Sequence, residues 1–174
     1  MGMDSGKLSR RQKQPGHDRT FKESEENFEA ALRELVDSDE FEVQGKPGDL
    51  RRMLGGEYGI VPEAVLRHTS SARAMYFEVK KQGDRGNADE RASKHHTVEF
   101  YRTLRKVTGF QYHAFCTVFC ESLATNSRYT SKHPFFFQVG KYFLWVDYKL
   151  APLREFLEMS VLPLLRGEKT EAEL

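Results

Sequence analysis

The run Ala74-Met75-Tyr76-Phe77 passes without a break into Glu78-Val79-Lys80, and no other stretch restricts the fold as tightly. Apolar and aromatic residues in succession suit a strand buried in a sheet. Successive side chains of a strand point to opposite faces, so Glu78 and Lys80, two apart, leave the strand end on the same side. The piece over 60–66 also reads as extended, and the polar turn His68-Thr69-Ser70-Ser71 folds it back as a hairpin. Glu63, preceded by Pro62, is thereby expected at the same sheet end.

Two carboxylates and an ammonium gathered in one place suit a particular chemistry. Mg²⁺ takes one or two carboxylates and completes its octahedron with waters and substrate phosphate oxygens. A lysine beside such an ion can orient or deprotonate a water and stabilise charge on the phosphate. The plainer reading is an α/β interaction module in which Glu78 and Lys80 form a surface ion pair.

Downstream, Gln82-Gly83-Asp84-Arg85-Gly86 reads as a loop, and Asn87 with Glu90 starts a helix. The first turn of a helix offers free N–H groups and the positive end of its dipole. Asn can bond the N6 and N7 edge of adenine, Glu can accept from an exocyclic amine, Arg can donate to a purine N7, and Ala leaves room for a thymine methyl. Against this, Asn87 and Glu90 have the spacing of residues that simply cap a helix.

Pro62-Glu63, then Glu78-Val79-Lys80, then Gly86-Asn87-Ala88-Asp89-Glu90-Arg91 together resemble the EcoRI/MunI-type type II restriction endonucleases of the PD-(D/E)XK nuclease superfamily, the MunI branch most of all. The likeness covers most of residues 25–106, with a weaker echo towards Trp145. It implies an α/β fold with a central mixed β-sheet flanked by helices, and Mg²⁺-dependent hydrolysis of double-stranded DNA by a homodimer, with one or two ions per site. Glu63 and Glu78 would hold the metal, with Lys80 completing the catalytic set. Asn87, Ala88, Glu90 and Arg91, following Gly86, would read the AATT centre of a palindrome, and Arg85 the outer C:G pair of a CAATTG-like site.

The chain departs from that pattern at three places. Asp89 stands where the MunI pattern has His, and is expected to place a negative charge near the groove. The loop between Lys81 and Arg85 is shortened. Glu63 stands where the family has Asp, which adds a methylene beside an ion that sits only about 2.0 to 2.1 Å from its ligands. Two further readings follow: a sequence-specific DNA-binding protein with impaired catalysis, and a PD-(D/E)XK repair nuclease that reads DNA structure.

With 174 residues, 39% hydrophobic and 30% charged, the chain fits one domain with a sizeable core. No run of about 18 apolar residues is present to span a membrane, and the start has no apolar signal region, so a cytoplasmic protein is expected. The net charge is only +1, yet basic residues crowd 7–22 and 51–106 while acidic ones gather in 23–42 and 168–173. A local basic surface can bind phosphate without a basic total. Cys116 and Cys120 are expected as buried reduced thiols, and His95 and His96 as helix-surface residues, since with His113 they lack a zinc-ligand spacing.

The chain divides into a flexible basic arm (1–19), a nuclease domain (20–166) and an acidic tail (167–174). Thr20 and Glu23 have capping-box spacing ahead of a helix over 21–36, in which Glu23, Glu25 or Glu26 is more simply a solvated first turn than an outer metal carboxylate. A short extended piece at 41–43 and a short helix from Pro47-Gly48-Asp49 to Gly55-Gly56 come next. The helix from Asn87 is expected to run to Val107, with Val98, Tyr101, Leu104 and Val107 facing the core, and to stop at Gly109. Residues 111–119 read as a central strand, 121–132 as a polar loop, 134–139 and 141–148 as two strands turning at Gly140, and Pro152 opens a helix that Pro163 ends or bends. Trp145 and Phe135-Phe136-Phe137 are expected to pack in a core or dimer contact.

Overall fold

The computed structural model describes residues 27–55, 59–109, 111–171 and 174. The basic arm, Thr20, Glu23, Glu25 and Glu26 lie outside the described residues, so the readings made on them stand untested. The helix expected over 21–36 is present in its described part as α1, Asn27–Leu35, with Phe28, Ala31 and Leu32 buried at helical spacing.

Five strands form one sheet in the order β1-β2-β3-β4-β5. Strand β1 (Phe41–Gly45) pairs antiparallel with β2 (Ala64–His68), and β2 pairs antiparallel with β3 (Ala74–Gln82). Strand β3 runs parallel to β4 (His113–Glu121), and β4 parallel to β5 (Tyr142–Trp145). Helix α2 (Asp49–Met53) lies between β1 and β2, and α3 (Ala88–Ala92), a 3₁₀ segment (Ser93–His96) and α4 (Val98–Val107) make the crossover from β3 to β4.

Alternation along β3 divides the core into two layers. Met75, Phe77 and Val79 join Phe28, Cys116 and Trp145 under α1 and the C-terminal helices, while Ala74 and Tyr76 face Phe100, Leu104 and Phe115 on the other side. Period-two geometry therefore sends Glu78 and Lys80 to the Tyr76 side, the side covered by the crossover. Cys116 and Cys120 are buried and form no disulfide among the described residues.

The crossover is not one helix. Thr97 adopts an extended conformation and its Oγ1 accepts from the Phe100 N–H at 3.1 Å, so it caps a new helix after the 3₁₀ segment. This break resets the helical phase. Leu104 is fully buried as expected, but Val98 is 73% exposed, and Val107 lies at the surface rather than in the core. The chain turns after α4 with Gly109 at φ +73°.

Residues 134–139 form no strand either. Helices α5 (Ser122–Thr125), α6 (Ser127–Thr130) and α7 (His133–Phe136) occupy this region, with Asn126 capping α6 by accepting from the Arg128 N–H at 3.0 Å. Pro134 supplies the fixed φ of a first helical turn. Only Phe137 of the aromatic trio is buried, against Phe119 and Tyr129, whereas Phe135 is 86% exposed. Trp145 lies in the core and donates from Nε1 to the Lys149 carbonyl at 2.9 Å. In the final helical stretch, α8 (Leu150–Phe156) continues through a wide π turn (Leu157–Val161) into α9 (Leu162–Arg166). Pro163 has no N–H to give to the carbonyl four residues back, yet the helix runs on past it to Arg166 after the wide turn.

Candidate active site

Glu78 and Lys80 form an ion pair, with Lys80 Nζ 2.8 Å from Glu78 Oε1. The Glu78 side chain is only 15% exposed, and its other oxygen, Oε2, is buried without a hydrogen-bond partner. A surface pair has no reason to bury an unsatisfied carboxylate oxygen, which costs free energy unless something else completes it.

The pair opens into a pocket of about 200 Å³ lined by Glu78, Lys80, Ala88, Arg91, Lys94 and His95. Ala88, Arg91 and His95, spaced three and four apart, share one side of the crossover. Of the lining residues, Lys94 was not singled out by sequence reading and His95 was expected on a helix surface, although their spacing from Arg91 was visible in it. His95 is no surface residue. It is 4% exposed, packed against Phe100 and Phe115, with Nε2 3.8 Å from Glu78 Oε2. Burial, reinforced by Lys94 and Lys80, pushes its pKa down to about 4, so the imidazole is neutral at pH 7. Three cations then face one carboxylate in this pocket, a balance that favours an anionic ligand.

His96 is also drawn inward. Tyr101 Oη donates to the Phe115 carbonyl at 2.8 Å and so has no proton left for His96 Nδ1 at 3.2 Å. His96 Nδ1–H must donate to Tyr101, and Nε2 then accepts from Thr117 Oγ1 at 2.8 Å. Thr117 is the register partner of Glu78 on β4. The 3₁₀ segment is thus tied to the sheet beside the carboxylate.

Glu63 reaches the same sheet end by its backbone. Its N–H donates to the Phe77 carbonyl at 2.8 Å, one residue out of step with the Ala64–Phe77 pairing, and its own carbonyl accepts from the Lys46 N–H at 2.9 Å. The half-buried Glu63 does not line the pocket itself. Among the described residues no three His, Cys, Asp or Glu side chains form a ready cage for a metal. The set still fits a hard cation that keeps its waters, because Glu78 Oε2 lacks a hydrogen bond and a second carboxylate sits on the neighbouring strand.

Arg85, Asn87, Glu90 and Arg91 are exposed. Asn87 stands at the N-cap of α3, yet its side chain makes no capping hydrogen bond. The Ala88 N–H is met by Gln82 Oε1 at 2.9 Å instead, which leaves the Asn87 amide outside the role that capping alone would give it. Gly86 has φ +125°, a conformation that demands glycine, and a Cβ there would also displace the Gln82 amide 2.5 Å away. Ala88 is 6% exposed and packs with Phe119, Leu123 and Tyr129. Asp89 places no charge at the surface. It is fully buried beside Lys132, because α3 turns this position toward α7.

No family model matches the sequence, and no curated protein matches it. Among solved structures, that of the MunI restriction endonuclease in complex with cognate DNA superimposes with a TM-score of 0.59, over 72% of this chain and 83% of that one, at 18% identity. The fold is restriction-endonuclease-like. The expected α/β architecture, a central mixed sheet flanked by helices, is therefore the observed one. No described helix is long and apolar enough to cross a membrane.

Proposed function

We propose that this protein is a type II restriction endonuclease that hydrolyses double-stranded DNA at a palindrome with an AATT core, in a CAATTG-like site, and acts as a homodimer. One observation carries the reading above all: the partly buried Glu78–Lys80 pair and Arg91 of the helix-start segment line the same pocket. An enzyme that cuts within its own recognition site needs its cleaving and base-reading groups close together, and a shared pocket supports that arrangement. The MunI enzyme, whose fold this chain shares, was solved with its cognate DNA, which agrees with DNA as the ligand.

In this reading Glu78 and Glu63 would hold Mg²⁺, which supplies Lewis-acid stabilisation of charge on the phosphate. Lys80, held 2.8 Å from Glu78, orients the attacking water and offers its positive charge to the phosphate. Lys94 in the same pocket draws the backbone in, and neutral His95 lines it without adding charge. The exposed Arg85, Asn87, Glu90 and Arg91 face the base edges.

Plasmid DNA incubated with the protein and Mg²⁺ is expected to give discrete ends at one short AATT-centred site. Glu78→Ala and Lys80→Ala should each abolish cleavage while binding of the same site in Ca²⁺ persists. Unchanged cleavage by Lys80→Ala would remove its role, and scattered nicks would favour a repair nuclease. Glu63 in place of Asp favours a second reading, a sequence-specific binder with weak catalysis. In that case the wild type binds without cutting, and Glu63→Asp raises the rate.

A further inference from the structure

The recognition segment leaves β3 beyond Gln82. The segment is held by four side chains on or beside neighbouring elements. Gln82 Oε1 accepts the Ala88 N–H at 2.9 Å while its Nε2 donates to Tyr129 Oη at 2.8 Å, Tyr129 Oη lies 3.4 Å from the Gly86 carbonyl, and Ser122 Oγ donates to Asp84 Oδ1 at 2.7 Å. The fourth, Lys132, is of a different kind because it is charged. Its Nζ lies 3.1 Å from Glu90 Oε1 and 3.3 Å from Asp89 Oδ2, and it sits over the Tyr129 ring at 5.7 Å.

Asp89 is fully buried and neither of its carboxylate oxygens accepts a well-directed hydrogen bond. An unpaired buried carboxylate is strongly destabilising, so the ammonium 3.3 Å away cannot leave it without penalty. Glu90 is exposed and can change partner freely. A lysine head is a compact point charge with three donors, able to serve two carboxylates arriving from different directions, which the planar fork of arginine does less well.

We propose that Lys132 is a specificity-determining positioning residue, which Asp89 anchors in place and which presents to Glu90 a stand-in for the base amine that Glu90 accepts on DNA. This rests on Glu90 reading a base, as proposed above. Without DNA, the ammonium neutralises a carboxylate that would otherwise repel the approaching phosphates, and it holds that carboxylate in a base-reading position. On the cognate site, Glu90 exchanges the ammonium for an exocyclic amine and Lys132 remains on Asp89. On a site without that amine, Glu90 gains nothing by the exchange. The raised pKa of Lys132, for which the bond to Glu90 is the largest cause, accords with an ammonium that stays charged throughout.

Lys132→Met risks misfolding through the orphaned Asp89, so the double variant Lys132→Met/Asp89→Asn, which removes that buried charge, is measured beside it, together with Lys132→Arg. Binding to an AATT-centred duplex and to duplexes changed at one A:T pair is titrated in Ca²⁺ across a salt series. The double variant is expected to unfold cooperatively and to lose about tenfold or more of its discrimination at the pair that Glu90 reads, the worth of a good base contact. Affinity for unrelated DNA and its salt slope should stay unchanged, because the double variant removes one positive and one negative charge together and leaves the net charge of the trio as it was. Lys132→Arg should recover only part of the loss. Full discrimination in a folded double variant overturns the proposal, as does an equal loss on all sequences with a flatter salt slope, which marks a phosphate contact. If the wild type itself shows no preference for AATT, the base-reading proposal fails first, and its failure is distinguishable from that of Lys132.

Discussion

Asn87 shows how little separates a cap from a reader. It occupies the N-cap of α3 but its side chain makes no capping hydrogen bond, while Gln82 meets the Ala88 N–H, so its amide remains available to a ligand. Asn87→Ala is therefore expected to leave thermal stability nearly unchanged, whereas loss of a working Asn cap typically costs about 1 kcal/mol. In a competition assay with duplexes altered one pair at a time, the same variant should lose about 1 to 3 kcal/mol of discrimination at the A:T pairs. Arg85→Ala should relax preference only at the outer pairs. A large drop in melting temperature with discrimination intact would return Asn87 to the capping role.

At the scale of elements, the break in the crossover positions the pocket. A continuous helix over 87–107 would carry His95 and His96 around to wherever its phase dictated. The 3₁₀ segment and the Thr97 cap instead fold both imidazoles against β4. Burial is the main cause that pushes the His96 pKa down to about 3, with His95 and Lys141 adding to it. The unfolded chain, with an ordinary pKa of about 6.5, binds this proton when the folded one does not. Stability therefore falls as the pH drops from about 6.5 toward 3, by up to about 1.4 kcal/mol per pH unit for this group. His113 and His133, also lowered chiefly by burial, act in the same direction. Urea unfolding at pH 7, 5 and 4 should show a shallower acid slope for His96→Gln than for the wild type, and equal slopes would show that His96 does not couple folding to protonation.

At the scale of the whole molecule, a net charge of only +1 hides a pocket with three cations and one anion, so local placement and not the total decides what the surface attracts. A palindromic site is matched most simply by a two-fold protein. Sedimentation of the free protein at micromolar concentration should give the mass of two chains, and a strictly monomeric species that still cuts both strands at one site would remove the dimer from the reading. The sequence by itself determined the strand carrying Glu78 and Lys80, the hairpin that returns Glu63, the glycine turn at Gly86 and the buried cysteines, because period-two alternation and turn chemistry act over a few residues. Only the tertiary structure decided that Asp89 turns inward to Lys132, that Glu78 Oε2 is left without a partner, that the crossover breaks at Thr97 and that 134–139 is helical and turned rather than extended. Three of these depend on a residue far along the chain, Lys132 for Asp89, Thr117 for His96 beside the Thr97 break and Phe119 for Phe137, and such contacts leave no periodic trace in the segments that make them.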